Sequence, residues 1–124
     1  MKIHKIDYEA VKPFIKAAKK EHVSFGNPIG AKWYGIYVDG YLVSFYCIVI
    51  KGKTARFKSN YTIPEYRGRG CLQAFIEHAK DLCKWRGVKE ITAFCTPLSV
   101  KSHIRNGAVM KSQNKNIAFV KYLL

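Results

Sequence analysis

A short loop rich in glycine and arginine, Arg67-Gly68-Arg69-Gly70, constrains the fold of this 124-residue chain more than any other feature of its sequence. The loop follows a predicted strand that ends at Ile63 and precedes a predicted helix that begins at Cys71. The first N–H groups of a helix have no intrahelical partner, and the helix dipole places partial positive charge there. Glycines let the backbone approach a ligand closely, and arginines add charged, forked donors. The segment therefore predicts a pyrophosphate cradle, with a basic turn that binds nothing as the alternative.

Two better-known phosphate loops fit this segment less well. A Walker loop has lysine and then serine or threonine after its last glycine, whereas Cys71 and Leu72 follow here. The dinucleotide fingerprint requires three glycines in its own spacing near a first strand. Neither pattern is present in the segment.

The hydrophobic pattern around the loop predicts one domain over residues 1–124. Apolar residues recur at helical spacing from Val11 to Ala18, where Pro13 interrupts the helix, and again from Leu72 to Cys83. Asp39-Gly40, between two aromatic and β-branched runs, predicts a two-residue hairpin. Strands are expected over 3–6, 32–38, 41–50, 54–63, 89–96, 108–112 and 117–123, and helices over 7–22, 71–87 and 98–106. This order is a mixed α+β layout.

Two of these strands differ in their predicted burial. Residues 43–50 are apolar almost throughout, so we expect this strand to be covered on both faces. Residues 54–63 alternate between an apolar face, Ala55, Phe57, Tyr61 and Ile63, and a polar face, Arg56, Lys58, Asn60 and Thr62. Such a polar face is typical of a strand that looks into a cleft, and an edge strand facing water gives the same pattern.

The charge balance is strongly basic. The chain has 22 lysines and arginines against 8 acidic residues, a formal charge of +14. Such an excess favours a polyanionic partner, for which DNA, RNA, a nucleotide or an acidic protein surface are the candidates. A basic surface without a specific partner is the alternative.

The remaining composition excludes several classes of protein. No segment approaches the roughly 20 uncharged apolar residues that span a bilayer, and the first residues lack the apolar core of a signal peptide. We therefore expect a cytoplasmic protein with no membrane segment. The four cysteines have no Cys-x-x-Cys spacing and no histidine at ligand spacing, which predicts reduced thiols and no metal site.

With these features the chain resembles the GNAT superfamily of N-acetyltransferases. The family motif Arg/Gln-x-x-Gly-x-Gly/Ala matches residues 67–72, preceded by Pro64-Glu65-Tyr66 in the family's common style, with Leu72 where the family prefers glycine or alanine. The later family pattern Asn-x-x-Ala-x-x-Leu-Tyr-x-Lys-x-Gly has the spacing of residues 96–107. The resemblance implies the GNAT fold, a mixed and mostly antiparallel sheet with helices on both faces. It also implies an enzyme that transfers an acetyl group from acetyl-CoA to an amine by direct attack.

The resemblance further implies roles for individual residues. The pyrophosphate would be held by Arg67, Gly68, Arg69, Gly70, Cys71 and Leu72. The backbone of Asn60, Tyr61 and Thr62 would line the pantetheine arm, and Thr96 falls where the family's asparagine often contacts the cofactor. His103 falls where a tyrosine commonly acts as general acid, so it would protonate the thiolate or act as a base instead.

The acceptor site is less well marked. Lys58, on the polar strand face, and His22, before a turn-rich loop, are candidates for contacting an anionic substrate, and Ser99 is a candidate for orienting it. For each of them a solvated or helix-capping role is the alternative. No acidic residue stands out as a general base, and a weakly basic amine would not need a strong one. We expect a monomer or a homodimer.

Two other functions stay open. Glu21-His22-Val23-Ser24, with Pro28 and Gly30 and then Tyr34-Gly35, faintly resembles phage Mom-type DNA-modification proteins, which share the GNAT architecture. The acceptor would then be a nucleic-acid base. The other function is that of a non-catalytic module that binds nucleic acid or an acidic protein through its basic surface.

Overall fold

The computed structural model describes residues 1–124, apart from the side chain of Leu98. Its elements follow the predicted order. They are β1 (His4–Ile6), α1 (Tyr8–Val11), a 3₁₀ turn (Lys12–Phe14), α2 (Ile15–Lys19), β2 (Lys32–Val38), β3 (Tyr41–Lys51), β4 (Thr54–Thr62), a second 3₁₀ turn (Pro64–Tyr66), α3 (Cys71–Trp85), β5 (Glu90–Cys95), α4 (Pro97–Arg105), β6 (Val109–Gln113) and β7 (Ala118–Leu123).

The strands form one sheet in the order β1-β2-β3-β4-β5-β7-β6. Neighbouring strands are antiparallel except β4 and β5, which run parallel. The parallel pairing ends at Phe57 and Ala93, although β4 continues to Thr62 and β5 to Cys95. The two strands therefore part and leave a gap in the middle of the sheet.

Helices cover both faces of the sheet. On one face α3 and α4 pack over a core that includes Tyr46, Ile48, Phe75 and Ile91. On the other face α1 and α2 pack over β2, β3 and the end of β4. Residues 43–49 of β3 are all buried, which confirms that this strand is covered on both sides. Among the described residues, no helix is both long and apolar enough to cross a bilayer.

Local sequence chemistry sets two of the boundaries. Pro13 lies in the 3₁₀ turn that separates α1 from α2, which confirms the predicted interruption. Asp39 and Gly40 join β2 to β3 with φ values of 51° and 82°, as a two-residue hairpin turn of this type requires.

A bulge in β4 breaks the alternation expected from the sequence. Phe45 pairs with Tyr61 but Cys47 pairs with Lys58, so Ser59 and Asn60 occupy the place of one residue, and Ser59 has φ of 57°. Phe57 therefore packs under α3 and α4, whereas Tyr61 packs under α1 and α2.

The expectation that Lys58, Asn60 and Thr62 share one polar face is wrong for the same reason. Lys58 lies beside Cys47 on the α1–α2 side, because residues opposite each other in a sheet share a face. Thr62 follows Tyr61 and therefore lies on the other side, where its hydroxyl is 2.6 Å from that of Ser44. Asn60 donates from Nδ2 to the carbonyl oxygen of Phe45 at 3.1 Å and holds the bulge in place.

Candidate functional site

A cleft of about 880 Å³ opens where β4 and β5 part. Its walls are the segment after α2, the outer half of β4, the glycine-arginine loop (residues 67–70), the end of β5 and one side of α4. It brings together most of the residues predicted for the site: His22, Lys58, Asn60, Tyr61, Thr62, Arg67, Gly68, Gly70, Cys71, Leu72, Thr96, Ser99 and His103. Arg69 instead lies over the ring of Tyr66, with its Cζ 4.7 Å from the ring centroid.

The glycine-arginine loop leads directly into the first turn of α3. Gly68 and Gly70 have φ of 74° and 86°, in the left-handed region that favours glycine. Gly70 is the N-cap of α3 and has no side chain to bond the free amides of the first turn. Cys71, Leu72 and Gln73 line the cleft at this helix end. The loop therefore offers unpaired backbone donors and a positive dipole end, the donor chemistry that a pyrophosphate requires.

Leu72 is accommodated without filling the loop. Its side chain is half-buried and packs against the core under α3. A Cβ atom on Gly68 would meet nothing within 4 Å, and one on Gly70 would meet only Met1 Cε at 3.8 Å. The glycines are therefore required by backbone conformation, and a larger residue at position 72 does not disturb that conformation.

The charge of Arg67 is matched inside the protein. Its Nη2 lies 2.8 Å from both carboxylate oxygens of Glu21, and its Nε donates to the carbonyl oxygen of Thr62 at 2.9 Å. The guanidinium also lies over the ring of Tyr61, 5.6 Å from the centroid. The sequence predicts that Arg67 contacts a phosphate. In the structure, its side chain instead links the loop to the segment after α2. The partner, Glu21, is 46 residues away in the chain, so no local pattern indicates it.

We expect Glu21→Gln to make the free energy of unfolding depend less on pH in the acid range. The hydrogen bond from Arg67 lowers the pKa of Glu21 below its usual value. The ion pair is therefore fully present at neutral pH, and its contribution is lost as the pH falls through the pKa of the folded state. The pair is partly exposed, so its contribution should stay below about 1 kcal/mol. Urea unfolding between pH 3 and 7 measures it.

Glu65→Gln is the matched control for Glu21→Gln, because Glu65 is exposed beside the same loop. Its unfolding curve should keep the pH dependence of the wild type. If Glu21→Gln keeps it as well, the ion pair contributes nothing to folding.

His103 is buried at the wall of the cleft. Its side chain is 3% exposed, its Nδ1 is 2.6 Å from the hydroxyl oxygen of Tyr122, and its ring meets that of Phe57 edge-on at 5.7 Å. Burial lowers the pKa of His103 to about 4. At neutral pH the ring is therefore uncharged, able to donate or accept a hydrogen bond but not to act as an imidazolium acid. Because Nδ1 is engaged by Tyr122, contact with a ligand would fall to Nε2.

The other predicted residues lie around the same opening. Thr96 is the N-cap of α4, and the Ser99 hydroxyl donates back to its carbonyl oxygen at 3.3 Å, a local helix-start contact. His22 is exposed with φ of 64°, and Lys58 is half-buried. The cleft also includes Arg56, from the polar strand face that the sequence predicted, and Phe94 and Ile117, which the sequence did not single out.

Comparisons with known proteins identify the fold. No protein-family model and no curated protein sequence matches the chain. Among solved structures, a protein from Klebsiella pneumoniae assigned as an acyl-CoA N-acyltransferase superposes with a TM-score of 0.82 at 16% identity, over 99% of this chain and 97% of that chain.

Two further structures were solved with a cofactor. A GNAT family acetyltransferase from Elizabethkingia anophelis with acetyl-CoA bound has a TM-score of 0.73 at 9% identity, over 99% and 97% of the two chains. The PaiA N-acetyltransferase from Thermoplasma acidophilum in complex with coenzyme A has a TM-score of 0.71 at 13% identity, over 96% and 80%. The predicted α+β architecture is confirmed, and the chain has the fold of the GNAT N-acetyltransferases.

Proposed function

We propose that the chain is an N-acyltransferase that moves an acetyl group from acetyl-CoA to an amine. The observation that carries this proposal is the glycine-capped start of α3, which opens into the gap between β4 and β5. A helix end that binds pyrophosphate and a strand edge released from its neighbour are the two features that an elongated, amide-containing phosphate ester needs. The solved structures with coenzyme A or acetyl-CoA bound share this fold.

Different residues of the cleft would contact different parts of acetyl-CoA. The backbone of the first turn of α3, from Gly70 to Leu72, would hold the pyrophosphate, with Gly68 allowing its approach. Beyond Phe57 the edge of β4 is no longer paired with β5, so the backbone of residues 60–62 would bond the amides of the pantetheine arm. Acetyl-CoA supplies a thioester, an activated acyl group. Thr96 and the neutral ring of His103 line the far wall, where they would orient that group.

The amine would enter from the α1–α2 side, past His22 and Lys58. The carboxylate of Glu21 faces the same opening, but the Arg67 hydrogen bond that lowers its pKa also makes it a weak base. The chemistry of this site therefore suits an amine that arrives uncharged and needs no strong base.

Binding of acetyl-CoA is expected to raise the melting temperature of the wild type, and Gly70→Ala is expected to weaken that binding at least tenfold. A ligand present at 100 times its Kd stabilises a protein by about 2.7 kcal/mol, which a thermal-shift titration detects. The change adds a Cβ where φ is 86° and distorts the start of α3, where the pyrophosphate would be bound.

Gly87→Ala is the matched control, because Gly87 follows the other end of α3 with φ of 75°. Both variants carry a similar cost of about 1–2 kcal/mol for alanine in a left-handed conformation. Only Gly70→Ala should need at least tenfold more acetyl-CoA for the same shift. No shift in the wild type, or equal titrations for the two variants, would contradict the proposed function.

A further inference from the structure

One half of the α1–α2 side of the sheet is not covered by α1 and α2. The core beneath these helices takes its strand residues from β2, β3 and the end of β4. In β5 and β7 the residues that point to α3 and α4 are Ile91, Ala93, Cys95, Ala118, Val120 and Tyr122. The residues between them point to the opposite side. There the register places Arg56 beside Thr92, Thr92 beside Lys121, and Phe94 beside Phe119. We call this surface, formed by Arg56, Lys58, Phe94, Phe119 and Lys121, the open face.

Two aromatic rings form the apolar part of the open face. The rings of Phe94 and Phe119 are 4.8 Å apart between centroids, with their planes inclined by 40°. Phe94 is 60% exposed, although the phenylalanines at positions 45, 57 and 75 are buried. Phe119 is half-buried, so the exposed ring of Phe94, supported by that of Phe119, forms a surface on which a planar base can stack.

The charges of the open face match a phosphate backbone. Arg56 and Lys58 lie on β4 at one edge of the aromatic pair, and Lys121 lies on β7 at the other. The four strands β4, β5, β6 and β7 together contain a single acidic residue, Glu90, which pairs with Lys121 at 3.2 Å. Glu90 is four residues from Phe94 along β5, about 13 Å away for an extended strand. Lys121 is thus paired with Glu90, whereas Arg56 and Lys58 form no salt bridge among the described residues, in a chain with a charge of +14.

The open face is continuous with the cleft. Arg56, Lys58 and Phe94 line both, and Phe94 lies near the end of β5 where that strand parts from β4. A polymer lying on the open face would therefore run to the opening through which the amine must enter.

We propose that the open face binds single-stranded nucleic acid, with a base stacked on Phe94 and Phe119 and the backbone phosphates held by Arg56 and Lys58. This rests on the proposed function and names its acceptor, the exocyclic amine of an unpaired base. Such an amine is uncharged at neutral pH, which suits a cleft whose carboxylate is already ion-paired. In the transfer the nitrogen–carbon bond to the acetyl group forms as the carbon–sulfur bond of the thioester breaks. The amine loses one proton, and the departing thiolate gains one to become the free thiol.

Fluorescence anisotropy with a labelled 12-nucleotide single strand, and with the duplex of the same sequence, tests the binding without any acetyl-CoA. We expect the single strand to bind more tightly than the duplex. Phe94→Ala should weaken single-strand binding at least fivefold, since stacking on an aromatic side chain contributes about 1–3 kcal/mol per base. Lys58→Gln should reduce the slope of log K against log salt by about 0.7.

Trp85→Ala is the control for the aromatic ring and Lys84→Gln the control for the charge. Both side chains are exposed on α3, on the other side of the sheet, and neither change should alter binding. Equal binding by Phe94→Ala and Trp85→Ala would overturn the proposal, as would tighter binding of the duplex. Absence of binding together with self-association in sedimentation would also overturn it and would assign the open face to a contact between two copies.

Transfer to the base is a separate measurement. Mass spectrometry of the oligonucleotide after incubation with acetyl-CoA should show one added acetyl group, and Phe94→Ala should reduce it. A protein that responds to acetyl-CoA in the thermal-shift titration but neither binds nor modifies the single strand keeps the proposed function and loses this acceptor. A wild type that binds the single strand but shows no response to acetyl-CoA keeps the nucleic-acid surface and loses the proposed function.

Discussion

Phe75→Ala is expected to lower the free energy of unfolding by about 3–5 kcal/mol, the usual cost of removing a buried phenylalanine ring. Phe75 is fully buried on α3, and its ring packs 4.9 Å from that of Tyr46 on β3. This contact joins the helix that begins at the glycine-arginine loop to the most deeply buried strand. Urea unfolding at pH 7 gives the change, with the slope against denaturant as a check that unfolding stays two-state.

Trp85→Ala provides the comparison on the same helix. Trp85 is the last residue of α3 and is 84% exposed, so its removal should change the free energy of unfolding by less than about 0.5 kcal/mol. Equal losses for the two variants would mean that α3 is not packed on β3 as described. The first turn of this helix is the proposed pyrophosphate site, so the unfolded fraction of Phe75→Ala should also fail to bind acetyl-CoA.

The features that the sequence predicts well depend on local chemistry. The hairpin at Asp39-Gly40, the interruption at Pro13 and the start of α3 at Cys71 each follow from residues within a few positions of the feature. The burial of residues 43–49 follows from an unbroken apolar run. The position of the loop between a strand and a helix could therefore be predicted from the sequence.

The features that the sequence misses depend on contacts between distant residues. Glu21 neutralises Arg67 from 46 residues away in the chain, and Tyr122 holds His103 from 19 residues away. The bulge at Ser59 moves the residues after it to the other face of the sheet, and a count of alternating residues cannot detect one extra position. In the sequence, Phe94 and Phe119 cannot be distinguished from other strand residues. Their exposure could not be predicted, because it depends on which strands α1 and α2 cover.

His103→Ala is expected to lower kcat for acetyl transfer by about 10²-fold, the lower end of the usual effect of removing a hydrogen-bond donor from the reacting group, with little change in KM for acetyl-CoA. His103 lines the cleft at the gap, and Tyr122 fixes its ring through Nδ1. Its pKa of about 4 places any loss of rate caused by its protonation near pH 4 rather than near 6.5. Both kcat and its pH dependence are measured from the rate of free thiol release. The acceptor is the fastest one found in a panel of amines and single-stranded oligonucleotides.

Stability must be followed in the same experiment, because the lowered pKa of His103 also affects folding. The unfolded chain binds a proton at this residue below about pH 6.5 and the folded protein only near pH 4, so stability falls as the pH drops between these values. His4→Ala, an exposed histidine on β1, should change neither turnover nor this pH dependence. Tyr122→Phe keeps the ring but removes the hydroxyl that holds Nδ1, so a positioning role predicts a lower kcat and a shifted pH profile. If His103→Ala remains folded, binds acetyl-CoA and turns over within about threefold of the wild type, His103 serves packing alone, since threefold is far below the usual effect of losing a hydrogen bond to the reacting group.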